Sequence, residues 1–399
     1  MSDVETNGNE PPRPAVVVRP GRRRIQRNYR RIIVGVISGS LVVVGALTAV
    51  GTSVLWNMFN DLNVVSNVDD KILIDRPDKI VLPDAPHQPM NILVMGTDSR
   101  DCSSGTYSCG IDQESGGNAS DTTILLHLSA DRKRAYGVSV PRDSLVSRPD
   151  CTTDSGGVYS GGDRQMWNAA YSVGGPACTV AQFELSTGIA VDDFVVVDFA
   201  SFQAMVDAVG GVEVCIPETI DDREHGIYLP AGTRVLDGPD ALKYVRVRHI
   251  GDGSDIGRIK RQQAFIASMV HTVLSSNTLS DPVRVIRFLK AATDSLTVSE
   301  GLGDIRKLAS LGIAFKDIGF DKVQFITVPW MYDAIDPNRV AWAPSAPEFW
   351  DLINHDNVLP KSMLVGKVTA GGTKKKNKDN ESSGQQQTDQ VLEAAGLCV

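Results

Sequence analysis

TTILLHLSADRKRAYGVSV, residues 122–140, consists of two apolar runs separated by the polar sequence ADRKR. Short apolar runs on either side of a polar turn predict a β-hairpin. Upstream, NILVMG (91–96) is a continuous apolar run that ends in glycine, which is typical of a strand buried on both faces. These segments predict three strands of a β-sheet.

Strands and helices alternate in the sequence that follows. VDDFVVVDF (191–199) and VEVCIP (212–217) are predicted strands, and FQAMVDAVGG (202–211) predicts a helix that ends at a glycine pair. Residues 281–365 predict two more helices and the strand VQFITVP (323–329). This alternation predicts an α/β fold in which helices cover both faces of the sheet.

An uncharged segment precedes this globular part. Residues 19–31 contain seven arginines, whereas residues 32–60 contain no charged residue. A membrane-spanning helix needs roughly 20 apolar residues, so residues 32–59 predict a single transmembrane helix. The arginines before it place residues 1–31 in the cytoplasm and the remaining chain outside the cell membrane. A cleaved signal peptide is the alternative, but its apolar region is shorter, about 7–15 residues.

The exported part divides into a spacer, a domain and a tail. Residues 60–90 contain four prolines and predict a membrane-proximal spacer. Residues 91–368 predict one globular domain. Residues 369–399 include the polar run TKKKNKDNESSGQQQ and predict a flexible tail.

Six cysteines lie after the predicted transmembrane helix. An even number of cysteines on the exported side of a membrane predicts disulfides, although the sequence leaves their pairing open. A zinc site is the alternative, but no C-x-x-C or histidine cluster accompanies the cysteines. Neighbour order suggests the pairs Cys102–Cys109, Cys151–Cys178 and Cys215–Cys398.

An arginine-dense stretch of the exported sequence is YVRVRHIGDGSDIGRIKRQQ (244–263), in a chain whose formal net charge is −8. Guanidinium groups are planar, permanently charged and matched in shape to phosphate oxygens. Their concentration in an acidic chain predicts one polyanionic ligand rather than a broad nucleic-acid surface. The alternative is a solvated helix face held by salt bridges.

Two local patterns place the first arginines of this stretch. GPDALKY (238–244) predicts a short helix with proline at its first turn. VRVR alternates with period two, which predicts an extended segment with Arg246 and Arg248 on one face.

The second half of the stretch predicts the start of a long helix. Asp255 is the predicted cap of a helix over residues 256–274. Arg258, Arg261 and Gln262 are predicted on its first turns, opposite the apolar stripe. A helix N-terminus adds its own affinity for anions.

Polar residues also occur at the ends of the predicted strands. Asp98 and Arg100 follow the first strand, Asp121 opens the next, and Arg142 follows the third. Ligands of α/β proteins bind at strand carboxyl ends. Two neighbouring carboxylates predict a divalent-cation site, since Mg²⁺ takes one or two of them plus phosphate oxygens. Turn-capping aspartates and an ordinary surface arginine are the alternatives.

Several familiar sites are excluded. The sequence contains no P-loop, no dinucleotide-binding glycine pattern, no G-x-S-x-G elbow and no H-E-x-x-H. His249 is the one histidine inside the arginine-rich stretch, and we interpret it as a hydrogen-bonding partner.

Six segments occur in an order typical of one family: NILVMGTDSR (91–100), SDTTILLHL (120–128), SVPRDSLV (139–146), WNAAYSVGGP (167–176), VDFASFQAMVDAVGGVEV (197–214) and LDGPDALKYVRVRHIGDGSDIGRIKRQQ (236–263). Through them, residues 91–275 resemble the LytR-CpsA-Psr family of cell-envelope glycopolymer transferases. The basic tail and single anchor are similar to the family's topology. The chain departs from the common pattern in its long, cysteine-bearing loop 101–119 and in its polar C-terminal tail.

The resemblance implies a three-layer α/β/α sandwich with a central mixed sheet. It also implies a phosphotransferase assisted by Mg²⁺, with Mn²⁺ as the alternative metal. The donor would be a glycopolymer joined through pyrophosphate to a polyprenyl lipid. The acceptor would be a peptidoglycan hydroxyl, the muramic acid 6-hydroxyl, and the products a phosphodiester and polyprenyl phosphate.

Site residues follow from the strand ends, the arginine-rich stretch and the resemblance together. The expected metal ligands are Asp98 and Asp121. Displacement at a pyrophosphate requires charge neutralisation more than covalent participation, and the expected catalytic residues are Arg100, Arg142, Arg246, Arg248, Asp255, Arg258 and Arg261. The expected substrate contacts are Arg142, Arg246, Arg258, Arg261 and Gln262.

Other functions share much of this site. A polyprenyl-pyrophosphate hydrolase would use water as the acceptor, and a binding or sensing module would hold polyprenyl phosphate without turnover. Transcriptional regulation is disfavoured because no helix-turn-helix pattern is present and the body is predicted to be exported. The expected partners are therefore the lipid-linked glycopolymer, peptidoglycan and the membrane, and not nucleic acid.

Overall fold

The computed structural model describes residues 62–98, 119–153, 155–223, 226–247, 254–275, 282–303, 305–370, 383–395 and 397–398. The predicted basic tail and transmembrane helix lie outside these residues, as do Cys102 and Cys109. Within the described ranges, no helix combines the length and apolar character needed to cross a membrane.

The strands of the described residues are β1 (Asn63–Val65), β2 (Met90–Thr97), β3 (Ser120–Leu128), β4 (Ala135–Val140), β5 (Leu145–Arg148), β6 (Cys151–Thr152), β7 (Val158–Tyr159), β8 (Gly162–Met166), β9 (Asp193–Val197), β10 (Val212–Ile216), β11 (Ile220–Asp222), β12 (Ile227–Leu229), β13 (Gly232–Leu236), β14 (Thr297–Ser299), β15 (Val323–Thr327), β16 (Trp330–Tyr332), β17 (Val340–Trp342) and β18 (Val368–Thr369). The α-helices are α1 (Ala169–Thr187), α2 (Phe199–Ala208), α3 (Gly238–Arg246), α4 (Asp255–Leu274), α5 (Pro282–Ser295), α6 (Ile305–Ile318), α7 (Ala346–Asn354) and α8 (Ser383–Ala394).

Eight strands form a mixed central sheet in the order β1-β14-β9-β2-β3-β4-β15-β18. The pairs β1–β14, β9–β2 and β4–β15 are parallel, and the other neighbours are antiparallel. The predicted hairpin is confirmed, because Leu128 at the end of β3 pairs with Ala135 at the start of β4. The strands predicted from NILVMG and VQFITVP are β2 and β15.

Helices pack on both faces of this sheet. On one face, Leu93 of β2 packs in a buried cluster with Phe183 of α1 and Phe349 of α7. On the other face, Phe325 of β15 packs with Ala314 of α6 and with residues of α4. Full burial of such an apolar side chain stabilises the fold by about 1.5–3 kcal/mol. The three-layer arrangement therefore agrees with the prediction.

Two segments that were predicted to be irregular contribute to the fold. In the expected spacer 60–90, β1 joins the edge of the central sheet, and Arg76 bonds the buried Glu184 at 2.6 Å. In the expected flexible tail 369–399, α8 is helical and Leu392 is buried. Both predictions were wrong for these parts, because ion pairs and apolar contacts with distant residues outweigh the polar local sequence.

Two of the suggested disulfides are confirmed. Cys151 of β6 bonds Cys178 of α1, with a Cα–Cα distance of 5.3 Å. Cys215 of β10 bonds Cys398 near the C-terminus, with a Cα–Cα distance of 5.9 Å. Each bridge ties together two separate elements of the fold, so these four cysteines are engaged in disulfides and do not hold zinc.

Candidate functional site

Several strands of the central sheet end at one edge. The end of β2 lies beside the start of β3, since Thr97 pairs with Ser120. The end of β4 lies beside the end of β15, since Ser139 pairs with Thr327. Strand β9 is parallel to β2 and ends at the same edge. We call this the carboxyl edge, and it is where ligands of α/β proteins bind.

Asp98 and Asp121 both lie at the carboxyl edge, as the sequence predicted. Asp98 follows β2 and accepts a hydrogen bond from the backbone N–H of Ala119 at 3.3 Å. Asp121 is the second residue of β3, and its Oδ1 accepts from Nη1 of Arg142 at 2.7 Å. The Asp121 side chain is 32% exposed. A ligand approaching this edge can therefore reach it.

Arg142 follows β4 and contacts three carboxylates. Besides Asp121, its Nε lies 3.3 Å from Oδ1 of Asp255 and 3.6 Å from Oδ2 of Asp143. Burial of the guanidinium opposes its charge, but the three aspartates outweigh this effect and raise the pKa of Arg142. The guanidinium of Arg142 thus connects the start of β3 and the end of β4 with the start of α4.

Asp255 connects Arg142 with Arg258. Its Oδ1 lies 2.5 Å from Nη2 of Arg258, one turn further along α4. The predicted cap was wrong by one residue, because the Oγ of Ser254 accepts from the N–H of Gly257 at 3.0 Å and Asp255 is the first residue of the helix. That frees the carboxylate of Asp255 to pair with the two arginines.

Arg258 is only 3% exposed, so the surface-facing position predicted for it, opposite the apolar stripe, was wrong. Arg246 differs from it, because the last residue of α3 is exposed and its guanidinium lies 4.7 Å from the ring centre of Phe199. The extended segment predicted from VRVR was also wrong at Arg246, which is helical. Arg100, Arg248 and His249 lie outside the described residues.

Arg261 and Gln262 bind backbone rather than facing open solvent. Arg261 is fully buried, donating from Nη1 to the carbonyl of Ala395 at 3.0 Å and from Nη2 to the carbonyl of Val247. Gln262 donates to the carbonyl of Val245 at 3.3 Å. The last carbonyls of a helix have no partners inside the helix. The two side chains therefore cap the end of α3, and the exposed position predicted for Arg261 was wrong.

The site contains two further residues that the sequence analysis did not single out. Asp143 Oδ1 pairs with Nη1 of Arg339 at 2.7 Å, which brings the segment between β16 and β17 to the carboxyl edge. Asp143 adjoins Arg142, so the SVPRDSLV segment contained a signal for it. Arg339 had none, because it lies outside every segment with a recognisable pattern.

Gln263 and Lys260 hold α4 against the sheet from within. Gln263 donates to Oγ of Ser139 at 2.9 Å and to Oγ1 of Thr327 at 3.1 Å. Lys260 donates to Oε1 of Gln263 at 3.1 Å and to the carbonyl of Gly366 at 2.7 Å. Burial lowers the pKa of Lys260 to about 7. These bonds fix the start of α4 relative to the ends of β4 and β15.

The named ion pairs form what we call the arginine–carboxylate network: Arg142, Arg258, Arg339, Asp121, Asp143 and Asp255. It contains three cations and three anions. Opposite charges attract and like charges repel at this range. A cation bound to some of the carboxylates would therefore weaken their attraction for the arginines, and the arginines would then bind a polyanion more readily.

The donor set at the edge fits a hard cation that keeps some water or phosphate ligands. Within the described residues, no group of three or more His, Cys, Asp or Glu side chains is arranged to hold a metal. Asp98 and Asp121 offer two carboxylates, and Mg²⁺ in phosphoryl-transfer sites takes one or two plus oxygens of the substrate. Asp98 and Asp121 are therefore the residues at this edge that could hold such an ion.

Comparison with known proteins gives a consistent result. The model of the LytR_cpsA_psr family matches residues 57–355. Cell wall biosynthesis protein LcpA of Corynebacterium glutamicum is 32% identical over 264 residues, which are 60% of this chain and 49% of LcpA. The chain thus spans about half the length of that relative.

Two further comparisons extend this similarity. The polyisoprenyl-teichoic acid–peptidoglycan teichoic acid transferase TagU of Enterococcus faecalis is 27% identical over 310 residues, which are 77% of this chain and 91% of TagU. The solved structure of a LytR-Csp2A-Psr enzyme from Actinomyces oris aligns with a TM-score of 0.52 at 22% identity, covering 70% of this chain and 97% of that one. At this identity, the similarity to the Actinomyces oris structure is evidence for the fold alone.

Proposed function

The chain belongs to the LytR-CpsA-Psr family, and we propose that it transfers a glycopolymer from a polyprenyl-pyrophosphate-linked donor to a peptidoglycan hydroxyl, the muramic acid 6-hydroxyl. The observation that carries the proposal is the joining of Arg142 and Arg258 through Asp255, beside Asp98 and Asp121 at the carboxyl edge. The names of LcpA and TagU, a cell wall biosynthesis protein and a teichoic acid transferase, support it.

The proposed reaction exchanges one phosphorus–oxygen bond for another. The acceptor oxygen forms a bond to the phosphorus that carries the glycopolymer, and the bond from that phosphorus to the bridging oxygen breaks. The products are a phosphodiester and polyprenyl phosphate, which keeps the bridging oxygen, and the hydroxyl proton passes to that phosphate or to solvent. Charge grows on the leaving phosphate, so neutralising groups supply most of the catalysis.

The scheme assigns roles to the site arginines and to Asp255. Arg142 and Arg258 would contact the pyrophosphate oxygens, and Arg246 would reach the donor from the exposed end of α3. Asp255 already contacts two guanidinium groups, so we assign it to orienting them rather than to accepting the acceptor proton. Arg100 and Arg248 remain proposed contacts on the sequence pattern alone.

The proposed metal is Mg²⁺, with Mn²⁺ as the alternative, and Asp98 and Asp121 would hold it. When bound, it would neutralise charge on the pyrophosphate oxygens. Binding at Asp121 would weaken the attraction between that carboxylate and Arg142, which leaves the guanidinium better able to bind phosphate. Metal and donor should therefore bind cooperatively.

We also propose that residues 32–59 anchor the chain in the cell membrane, with residues 1–31 in the cytoplasm and the catalytic domain outside. An anchored domain meets a lipid-linked donor at a raised effective concentration, without any new contact. Protease added to intact spheroplasts should digest the body and spare residues 1–31. Digestion of that N-terminal tail would contradict this topology.

The function is tested with the full chain in proteoliposomes that contain the lipid-linked donor, Mg²⁺ and peptidoglycan oligomers. Mass spectrometry should find glycopolymer joined to the oligomers through a phosphodiester. Glycopolymer phosphate without an adduct would indicate a hydrolase, and intact bound donor would indicate a binding module. Arg142→Ala should abolish the adduct, and Arg234→Ala, an exposed arginine on β13, should not.

A further inference from the structure

The C-terminal part of the chain closes over the helix that carries the site arginines. We call α8 together with Ala395, Leu397 and Cys398 the C-terminal clip. Leu392, Ala395 and Leu397 form a buried cluster that packs against Ala264 of α4. The disulfide Cys215–Cys398 ties the end of the clip to β10. The clip is therefore held both by apolar packing and by a covalent bond.

One arginine links the clip to the site. Arg261 donates to the carbonyl of Ala395 in the clip and to the carbonyl of Val247 just after α3. Its side chain is fully buried. Hydrogen bonds from a charged donor contribute more than neutral ones, and a buried acceptor that loses its partner is costly. A displacement of Ala395 would therefore shift Arg261 and disturb its hydrogen bond to the carbonyl of Val247.

The end of α3 determines where Arg246 points. Arg246 is the last residue of the helix, between two residues whose carbonyls are bound by α4, Val245 by Gln262 and Val247 by Arg261. A cation near the C-terminal end of a helix also interacts favourably with the helix dipole. Loosening these bonds would fray the last turn of α3 and give Arg246 more than one orientation.

A second connection runs from the clip to α4. Thr388 of α8 accepts a hydrogen bond from the N–H of Gly366 at 3.4 Å, and the carbonyl of Gly366 accepts from Lys260 of α4 at 2.7 Å. A side chain at Gly366 would meet Val391 of α8 at 2.8 Å. The close approach at this glycine lets the clip lie directly on the segment that Lys260 binds.

The two described disulfides differ in exposure. Cys151 and Cys178 are 1% and 2% exposed, whereas Cys215 is exposed and Cys398 is partly exposed. Thiol–disulfide exchange requires direct access of the attacking thiolate to a sulfur atom. A soluble thiol should therefore reduce Cys215–Cys398 before Cys151–Cys178.

From these contacts we propose that the C-terminal clip positions the donor-binding arginines through Arg261, and that the disulfide Cys215–Cys398 is a redox-sensitive lock on that position. The inference rests on the proposed function for its effect on transfer. Arg261 is in this account a positioning residue and makes no contact with the donor. The reduction balances when two equivalents of an external thiol are oxidised to a disulfide and Cys215 and Cys398 become thiols.

The first test separates positioning from direct contact. Four full-length proteins are compared: wild type, Arg261→Met, a released-clip variant with Leu392→Ala and Cys398→Ser, and the combination of all three changes. Both Arg261→Met and clip release should raise the KM for the donor about tenfold, and the combination should raise it no further, since both act through the position of Arg261. Multiplied effects in the combined variant would show that Arg261 acts independently of the clip.

The second test uses the lock itself and does not depend on turnover. The wild-type chain is treated with a soluble thiol until alkylation mapping shows Cys215 and Cys398 reduced and Cys151–Cys178 intact. Amide hydrogen exchange at residues 242–247 should then rise at least tenfold, and affinity for inorganic pyrophosphate with Mg²⁺ should fall by a similar factor. Reoxidation should restore both values.

A matched control is the Cys215→Ser, Cys398→Ser variant, which should show the faster exchange from the start and no response to thiol. Unchanged exchange at residues 242–247 after selective reduction would overturn the clip proposal, whatever reaction the protein catalyses. Normal thiol-sensitive exchange in a protein that transfers no glycopolymer would leave the clip in place and overturn the proposed function instead.

Discussion

Replacing Asp255 by asparagine tests the arginine–carboxylate network at its centre. Asp255 Oδ1 lies 2.5 Å from Nη2 of Arg258 and 3.3 Å from Nε of Arg142. Asparagine keeps the size of the side chain and one oxygen, but it removes the charge that both guanidinium groups face. Because Arg258 is only 3% exposed, water and salt compensate little for that loss.

The size of the effect follows from the burial of the partners. Removing one partner of a buried ion pair costs about 3–5 kcal/mol. The side chain of Asp255 is 21% exposed, so we expect the free energy of unfolding to fall by about 3 kcal/mol, the lower end of this range. Loss of one oriented, charge-assisted contact with the donor, about 1.5–3 kcal/mol, should lower transfer roughly 10- to 100-fold.

Urea unfolding followed by tryptophan fluorescence gives the first quantity, and initial rates of adduct formation give the second. Asp240→Asn is the matched control, since Asp240 and Lys243 also form an i,i+3 pair at 2.9 Å, but both side chains are more than 40% exposed. It should cost at most about 1 kcal/mol and leave transfer unchanged. Additive effects of Asp255→Asn and Arg258→Ala in a double-mutant cycle would refute the reasoning, because contacting residues should show coupling.

Other substitutions separate stability, metal binding and pH dependence. Arg246→Ala should lower transfer at least about tenfold while costing about 1 kcal/mol of stability or less, since only an exposed cation–π contact is lost; a large shift in the urea midpoint would contradict this. Asp98→Asn and Asp121→Asn should each raise the Mg²⁺ concentration for half-maximal transfer; an unchanged requirement in both would remove the metal assignment. Burial lowers the pKa of Lys260 to about 7, so between this pH and the unfolded value near 10.5 the unfolded chain binds a proton that the folded chain does not. Wild-type stability relative to Lys260→Met should therefore rise as the pH increases through this window, and a flat difference in melting temperature would refute the burial of a neutral amine.

The sequence predicted the sheet and its carboxyl edge because these depend on local patterns. The apolar runs of β2, β3 and β4 are continuous and bounded by polar turns, and the hairpin register follows from the short turn between β3 and β4. Asp98 and Asp121 were correctly placed at one edge, since Asp98 follows β2, Asp121 lies at the start of β3, and these two strands pair in the sheet. Sequence patterns that extend over a few residues were sufficient to predict these strands and the edge at which they end.

The position of Arg261 was missed because its partners are far away in sequence. Its acceptor Ala395 lies 134 residues later, shortly after a polar run of low complexity at residues 373–387. A helical wheel of α4 separates charged from apolar residues, but it carries no information about a second helix that covers the charged side. Long-range packing and the disulfide to Cys398 determine that Arg261 is buried.

The error at VRVR has a different cause. Four alternating residues are too short to distinguish a strand from the last turn of a helix. The preceding helix continues because Ala241, Leu242 and Val245 recur on one face and are buried against the cluster around α2 and β10. Tertiary packing of that face extends α3 to Arg246.

The most direct measurement of the central claim is a transfer reaction carried out in water enriched in ¹⁸O. The full chain, the lipid-linked donor, Mg²⁺ and peptidoglycan oligomers are incubated together, and the phosphate-containing products are analysed by mass spectrometry. If a peptidoglycan hydroxyl attacks the phosphorus, the adduct and the released polyprenyl phosphate carry no ¹⁸O. Incorporation of ¹⁸O into free glycopolymer phosphate, with no adduct formed, would show that water is the acceptor and would contradict the transferase.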